Sequence, residues 1–107
     1  MVTGGCGFIG SHLVERLLSD GHSVTVIDNL ATGKKANLAS VLNHPRLIIL
    51  NEDINSNISP HFQNKDWVFH LAALADIVPS IDHPERYFQS NVIGTFNVVE
   101  ACRRGRV

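Results

Sequence analysis

Apolar residues recur along this chain with two different periods, and the switches between them mark its elements. From Phe8 to Ser19 the spacing is helical. Ile9, Leu13 and Leu17 lie on one line and Val14 and Leu18 beside it, with His12, Glu15, Arg16 and Ser19 turned outward. Asp20-Gly21 follows, and a glycine just past the last periodic residue predicts a left-handed cap. Val24-Thr25-Val26-Ile27 is a β-branched run that predicts a strand. Residues 37–43 predict a short helix closed by Pro45. Arg46 to Asn51 is an almost unbroken apolar run, suited to a strand covered on both faces of a parallel sheet. The polar stretch 55–66 admits one irregular helical turn around His61-Phe62. Trp67 to Ala72 predicts another strand, residues 74–83 a loop, and Pro84 the first turn of a long helix reaching residue 105.

The last helix carries more than a sheet-facing stripe. Tyr87, Asn91, Thr95, Val98, Val99 and Cys102 recur at helical spacing, flanked by Phe88, Val92 and Phe96, so its apolar face predicts a second covering partner. Gly94 inside it costs about 1 kcal/mol against Ala, which a close approach of neighbouring backbone would justify. Asn91 stands on a face that should be buried and must find a hydrogen-bond partner; a structural bond to the preceding strand and a role at the site are both open. The alternation of strands and helices predicts an α/β fold: a Rossmann-like doubly wound parallel sheet, here its N-terminal half.

Chemistry concentrates at the start. Thr3-Gly-Gly-Cys-Gly-Phe-Ile-Gly-Ser-His12 contains Gly5-x-Gly7-x-x-Gly10, between a strand and a helix, and Asp28 closes the next strand about 20 residues on. Glycines at this spacing make the tight turn, admit a pyrophosphate to backbone, and let helix pack on sheet. The helix start would present free N–H groups and the positive end of its dipole to phosphate. A carboxylate at Asp28 suits the two adenosine ribose hydroxyls and would repel a 2′-phosphate, which favours NAD over NADP; capping its own loop is the other reading. Lys34 and Lys35 lie close enough in sequence to reach toward a phosphate. Asp53 and Ile54 leave the third strand at its ligand-binding end, where they could meet adenine, or Asp53 could cap a loop. His70, inside a strand, reads as a hydrogen-bonded core histidine rather than a catalyst.

Composition narrows the classes. The chain has 107 residues, a formal net charge of −1 and 44% hydrophobic residues, which fits one domain over residues 1–107 and gives no nucleic-acid footprint. The basic tail Arg103-Arg104-x-Arg106 reads as solvated helix end. No apolar run has the length of a membrane span and no signal peptide opens the chain, so a soluble, cytoplasmic protein is expected. Two cysteines, Cys6 and Cys102, are too few for a disulfide framework and read as reduced small hydrophobes. The six histidines show no metal-ligand spacing, and no metal is expected.

With the glycine turn, Val26-Ile-Asp-Asn29, Asp53-Ile54, His70-Leu-Ala-Ala73 and Asn91-Val-Ile-Gly-Thr95 in hand, the chain resembles the extended short-chain dehydrogenase/reductase family. Within it, the resemblance is to NAD-dependent nucleotide-sugar epimerases of the UDP-glucose 4-epimerase type, over all 107 residues. The resemblance implies that Gly4, Gly7, Phe8, Ile9 and Gly10 line the pyrophosphate. By the same likeness Asp28 and Asn29 hold the ribose, and Asp53 and Ile54 the adenine. Leu71, Ala72, Ala73 and Leu74 would contact the nicotinamide side, with Asn91 behind it. The segment Asp76 to Ser80 would border the sugar, Ser80 among its substrate contacts. It also implies a homodimer through the 84–105 helix and a UDP-sugar substrate. Two departures accompany it. The first strand is a stub, with Met1 where the family has further apolar residues. The family's catalytic Ser/Thr and Tyr-x-x-x-Lys lie beyond Val107, and Tyr87 is followed four residues on by Asn91. The chain therefore reads as the N-terminal, non-catalytic part of an epimerase, inactive alone. A 4,6-dehydratase or decarboxylase of the same family is the alternative, and a stand-alone dinucleotide-binding module a third reading.

Overall fold

A computed structural model describes residues 1–107. Four parallel strands form one sheet in the order β3-β2-β1-β4: β1 is Val2–Thr3, β2 Val24–Ile27, β3 Leu47–Leu50 and β4 Phe69–His70. Helix α1 (Phe8–Ser19) joins β1 to β2 on one face. The other face carries a 3₁₀ turn, Ser59–Phe62, and the helical run α3 (Pro84–Tyr87), a π turn (Phe88–Ile93) and α4 (Gly94–Gly105). Strands buried on both faces alternate their side chains between two layers. Val2, Val24 and Val26 pack with Val14, Leu18 and Cys6 under α1, whereas Met1 and Ile27 pack with Ile54, Ile58, Phe62, Val98 and Ala101 under α4.

Helix α1 ends as its sequence predicts. Gly21 has φ +93, its N–H donates to the Leu18 carbonyl at 3.1 Å, and the His22 N–H reaches back to Leu17 at 3.0 Å, the paired bonds of a Schellman cap. Arg46 adds its guanidinium to the Gly21 carbonyl at 2.6 Å, tying the entry of β3 to that cap. The buried face is Gly10, Ser11, Val14 and Leu18, not the line through Ile9, which is 69% exposed. At this end Gly10 presses on the glycine turn, and that contact rotates the buried face away from Ile9.

Other departures have local causes. The strand expected over residues 67–72 pairs only at Phe69–His70, because its neighbour β1 supplies just two residues for the register Val2 with Phe69 and Thr3 with His70. Backbone bonds from Phe69 N–H to Met1 and from Leu71 N–H to Thr3 complete the ladder. The helix expected over 37–43 is a 3₁₀ turn, Lys35–Leu38, followed by turns. β3 is not covered on both faces: it is an edge strand in this sheet, and Ile48 is 57% exposed. The loop expected over 74–83 contains α2 (Ile77–Asp82), whose Pro79 falls in the first turn, where a missing N–H costs no helical bond.

Candidate functional site

The C-terminal ends of the strands open into one cleft of about 120 Å³. Such crevices are where open parallel sheets bind ligands. Its floor is the turn after β1. Gly4 has φ +69, and a Cβ there would lie 2.7 Å from the Ala72 nitrogen, so no other residue fits between the turn and the exit of β4. The Gly4 N–H donates to Ile27 at 2.8 Å, and its carbonyl accepts the Gly7 N–H at 3.1 Å. Gly7 is the N-cap of α1 and offers no side chain to satisfy the first-turn N–H groups. That leaves donors and the positive end of the helix dipole beside the cleft.

Asp28 forms the second wall. It is 7% exposed, and its carboxylate accepts the Cys6 N–H at 2.9 Å through one oxygen and the Leu30 N–H at 2.8 Å through the other. Loop capping is therefore real, and it locks the glycine turn to the loop after β2. Each oxygen retains a lone pair, so the cap does not preclude hydroxyl binding. Burial, then the Asp28 charge, push the Cys6 thiol up to about 11, against a weaker opposing pull from Lys35. A thiol so disposed is a packing group and no nucleophile.

Asn29 and Asp53 close the cleft from β2 to β3. The Asn29 amide donates to Asp53 at 2.7 Å, and the Asn55 N–H bonds the other carboxylate oxygen at 2.8 Å. Burial works to raise the Asp53 pKa, but these hydrogen bonds outweigh it and hold the group below its usual range. Ile54 lines the cleft yet is buried in the core, its side chain seated where a Cβ on Gly94 would be, 2.4 Å away. Gly94 is thus explained by a side chain and not by backbone.

The fourth wall, Leu71 to Leu74, is the exit of β4. Asn91 grips it: its amide donates to the Leu74 carbonyl and its carbonyl oxygen accepts the Leu74 N–H, both at 2.8 Å. His70 bonds Thr3 at 2.7 Å through Nδ1 and Thr95 at 2.9 Å through Nε2, the core histidine its position suggested.

Of the residues singled out in the sequence, Gly4, Gly7, Asp28, Asn29, Asp53, Ile54, Leu71, Ala72 and Ala73 line this cleft together. Gly10 is buried beneath it, Asn91 stands behind its wall, and Phe8 and Ile9 are 79% and 69% exposed outside the lining. Ser80 lies on α2, its hydroxyl donating to the Ile77 carbonyl at 2.6 Å, and is not part of the lining. Ala31, Thr32, Gly33, Glu52 and Ser90 also line the cleft. Gly33 had a readable signal, the Thr-Gly turn after Asp28; a Cβ there would lie 3.0 Å from the Asp28 carboxylate.

The sequence model of the NAD dependent epimerase/dehydratase family matches residues 1–107. The chain belongs to that family. UDP-glucuronic acid decarboxylase 1 of Danio rerio is 36% identical over 104 residues, and UDP-glucuronic acid decarboxylase 6 of Arabidopsis thaliana 39% over 105. Each alignment covers 97% of this chain, but only 24% and 30% of those proteins. Among solved structures, the UDP-N-acetylglucosamine 4-epimerase from Methanobrevibacter ruminantium M1, in complex with UDP-N-acetylmuramic acid, is 44% identical with a TM-score of 0.92. It is covered over 34% of its length and covers 99% of this chain. DesIV, a dTDP-glucose 4,6-dehydratase from Streptomyces venezuelae with NAD and TYD bound, is 34% identical with a TM-score of 0.94, over 99% of this chain and 36% of that one. The chain thus spans about a quarter to a third of the epimerase/dehydratase relatives it matches.

Proposed function

We propose that the chain is the N-terminal, NAD-binding part of a nucleotide-sugar epimerase of the UDP-glucose 4-epimerase type. The observation that carries this is the joining of the glycine turn to a buried carboxylate: Asp28 accepts the Cys6 N–H, so the phosphate cradle and the ribose acceptor form one rigid unit. The residues fit a dinucleotide. Gly4, Gly7 and Gly10, with Phe8 and Ile9 at the helix start, would hold the pyrophosphate; Asp28 and Asn29 the ribose; and Asp53 and Ile54 the adenine. Leu71, Ala72 and Ala73 would meet the nicotinamide side with Asn91 behind them, and Ser80 the sugar. NAD when bound supplies a reversible hydride acceptor for a sugar carbon. This chain's own residues orient it and hold water off its base; the proton-transferring residues belong to the remainder of the enzyme.

The 44% identity to a 4-epimerase supports epimerisation, while the 36–39% identity to UDP-glucuronic acid decarboxylases supports the second reading, decarboxylation on the same platform. On either reading the chain alone is inactive and the substrate is a UDP-sugar. Phe88, Val92, Phe96 and Val99 stand 52–64% exposed along one side of the last helix, which supports a homodimer through residues 84–105. No helix is long and apolar enough to cross a membrane. With Cys6 and Cys102 as free thiols, a cytoplasmic location is consistent. The test is to incubate the full-length protein with UDP-glucose, UDP-N-acetylglucosamine and UDP-glucuronate and follow the sugar by NMR. An inverted C4 centre supports the epimerase; release of carbon dioxide from UDP-glucuronate supports the decarboxylase; no turnover with any of them, in a protein that binds NAD, overturns both.

A further inference from the structure

His70 sits in a chain of hydrogen bonds whose directions can be read from the donors available. The Thr95 hydroxyl donates to the Asn91 carbonyl at 2.6 Å, one turn back in the helix. Its single proton being committed there, Thr95 Oγ1 can only accept from His70 Nε2, 2.9 Å away, so Nε2 carries the ring proton. Nδ1 is then an acceptor, and it takes the Thr3 hydroxyl at 2.7 Å; Thr3 Oγ1 in turn faces the Ala72 N–H at 3.4 Å. Every step agrees with one species, the neutral Nε2–H tautomer. The chain ends at the wall of the cleft, because Asn91 in the π turn exchanges two bonds of 2.8 Å with the Leu74 peptide. A π turn inside a helix is where function often resides, and here it places Thr95 on His70 and Asn91 on Leu74 at once.

We propose that His70 is a positioning residue for the cofactor: as the Nε2–H tautomer it holds Thr95 and the π turn so that Asn91 clamps Leu74 and fixes the wall on which the nicotinamide side rests. This rests on reading the cleft as a dinucleotide site. His70 is not part of the cleft lining and acts through Thr95 and Asn91. Burial lowers its pKa, in the direction the neutral form requires.

The test uses the full-length protein and two substitutions that keep different halves of the ring. His70→Gln keeps a donor at the Nε2 position toward Thr95; His70→Asn keeps an amide near Nδ1 that can accept from Thr3 but places no atom at the Nε2 position toward Thr95. In the wild type, ¹⁵N spectra of His70 should show the Nε2–H tautomer; the Nδ1–H form would overturn the proposal at once. In His70→Asn, hydrogen exchange at the Leu74 amide should speed up in the ligand-free protein and the Kd for NAD should rise roughly tenfold, the worth of one net hydrogen bond. His70→Gln should restore both. Thr95→Val combined with His70→Asn should cost no more affinity than either alone, since both break one chain. Leu74 protection unchanged in His70→Asn, or losses that add, overturns the positioning role. A wild type that fails to bind NAD instead refutes the dinucleotide reading, and the Leu74 exchange still decides the clamp.

Discussion

Alanine at Gly10 and alanine at Gly7 separate the two jobs of the glycine turn. A Cβ on Gly10 would stand 2.2 Å from the Gly4 carbonyl oxygen and 2.8 Å from the Gly5 Cα, more than an ångström inside ordinary contact with the oxygen. The Gly4 peptide is held in place, since its N–H donates to the Ile27 carbonyl at 2.8 Å and its carbonyl accepts the Gly7 N–H at 3.1 Å. Overpacking of this kind costs about 1–3 kcal/mol, and backbone neighbours put Gly10→Ala at the upper end. Helix propensity returns about 1 kcal/mol of that, leaving a net loss of about 2 kcal/mol, or a urea midpoint roughly 1 M lower. A Cβ on Gly7 meets only the Gly4 oxygen at 3.3 Å, at an N-cap with ordinary φ of −75°. Gly7→Ala should therefore shift the midpoint less than Gly10→Ala does, by about 0.5–1 kcal/mol of stability, yet obstruct the cleft that Gly7 lines and weaken NAD binding by at least about tenfold. Urea titration and NAD calorimetry on both variants check this. A Gly10→Ala protein as stable as the wild type would refute the packing argument, and Gly7→Ala binding NAD with wild-type affinity would remove the pyrophosphate from Gly7.

Three other outcomes follow from single contacts. Asp28→Ala strands the buried Cys6 N–H and the Leu30 N–H, and should cost about 1–3 kcal/mol in urea melts as well as NAD affinity. The depressed pKa of His70 fixes a pH dependence: an unfolded histidine binds its proton near the ordinary value of 6.5 and the folded one resists it. Its contribution to stability is present above pH 6.5 and fades as the pH falls through the lower folded value, a loss that His70→Gln should remove from melts run between pH 7.5 and 5. Phe96→Glu, on the exposed stripe of α4, should shift the full-length protein toward monomer in sedimentation; an unchanged dimer would move the interface elsewhere.

How far the sequence disclosed this molecule depends on the range over which each feature is encoded. α1 and its cap were legible because the apolar spacing and Gly21 are local, and Asp28 because the strand before it is dense in β-branched residues. The extent of β4 was not, since a strand is as long as its partner allows and β1 offers two residues. The π turn was hidden inside the 84–105 periodicity: one extra residue per turn leaves the hydrophobic count almost unchanged while it redirects Asn91 and Thr95. Pro79 disguised α2 as loop, and Ser80, placed at the sugar by resemblance, turns its hydroxyl into that helix. At the site the residues that line the cleft from the end of a strand could be named in advance. Glu52 and Ser90 could not, because they enter the cleft by the way the exit of β3 meets the π turn.

The glycine turn joined to the Asp28 carboxylate is what makes the cleft a site for NAD, and calorimetric titration of the full-length protein with NAD and with NADP decides whether it is one. NAD should bind, with NADP weaker by at least about tenfold because a 2′-phosphate would face the buried Asp28 carboxylate, and this preference should shrink in Asp28→Ala. NADP bound as tightly as NAD, or a preference that survives Asp28→Ala, would contradict it.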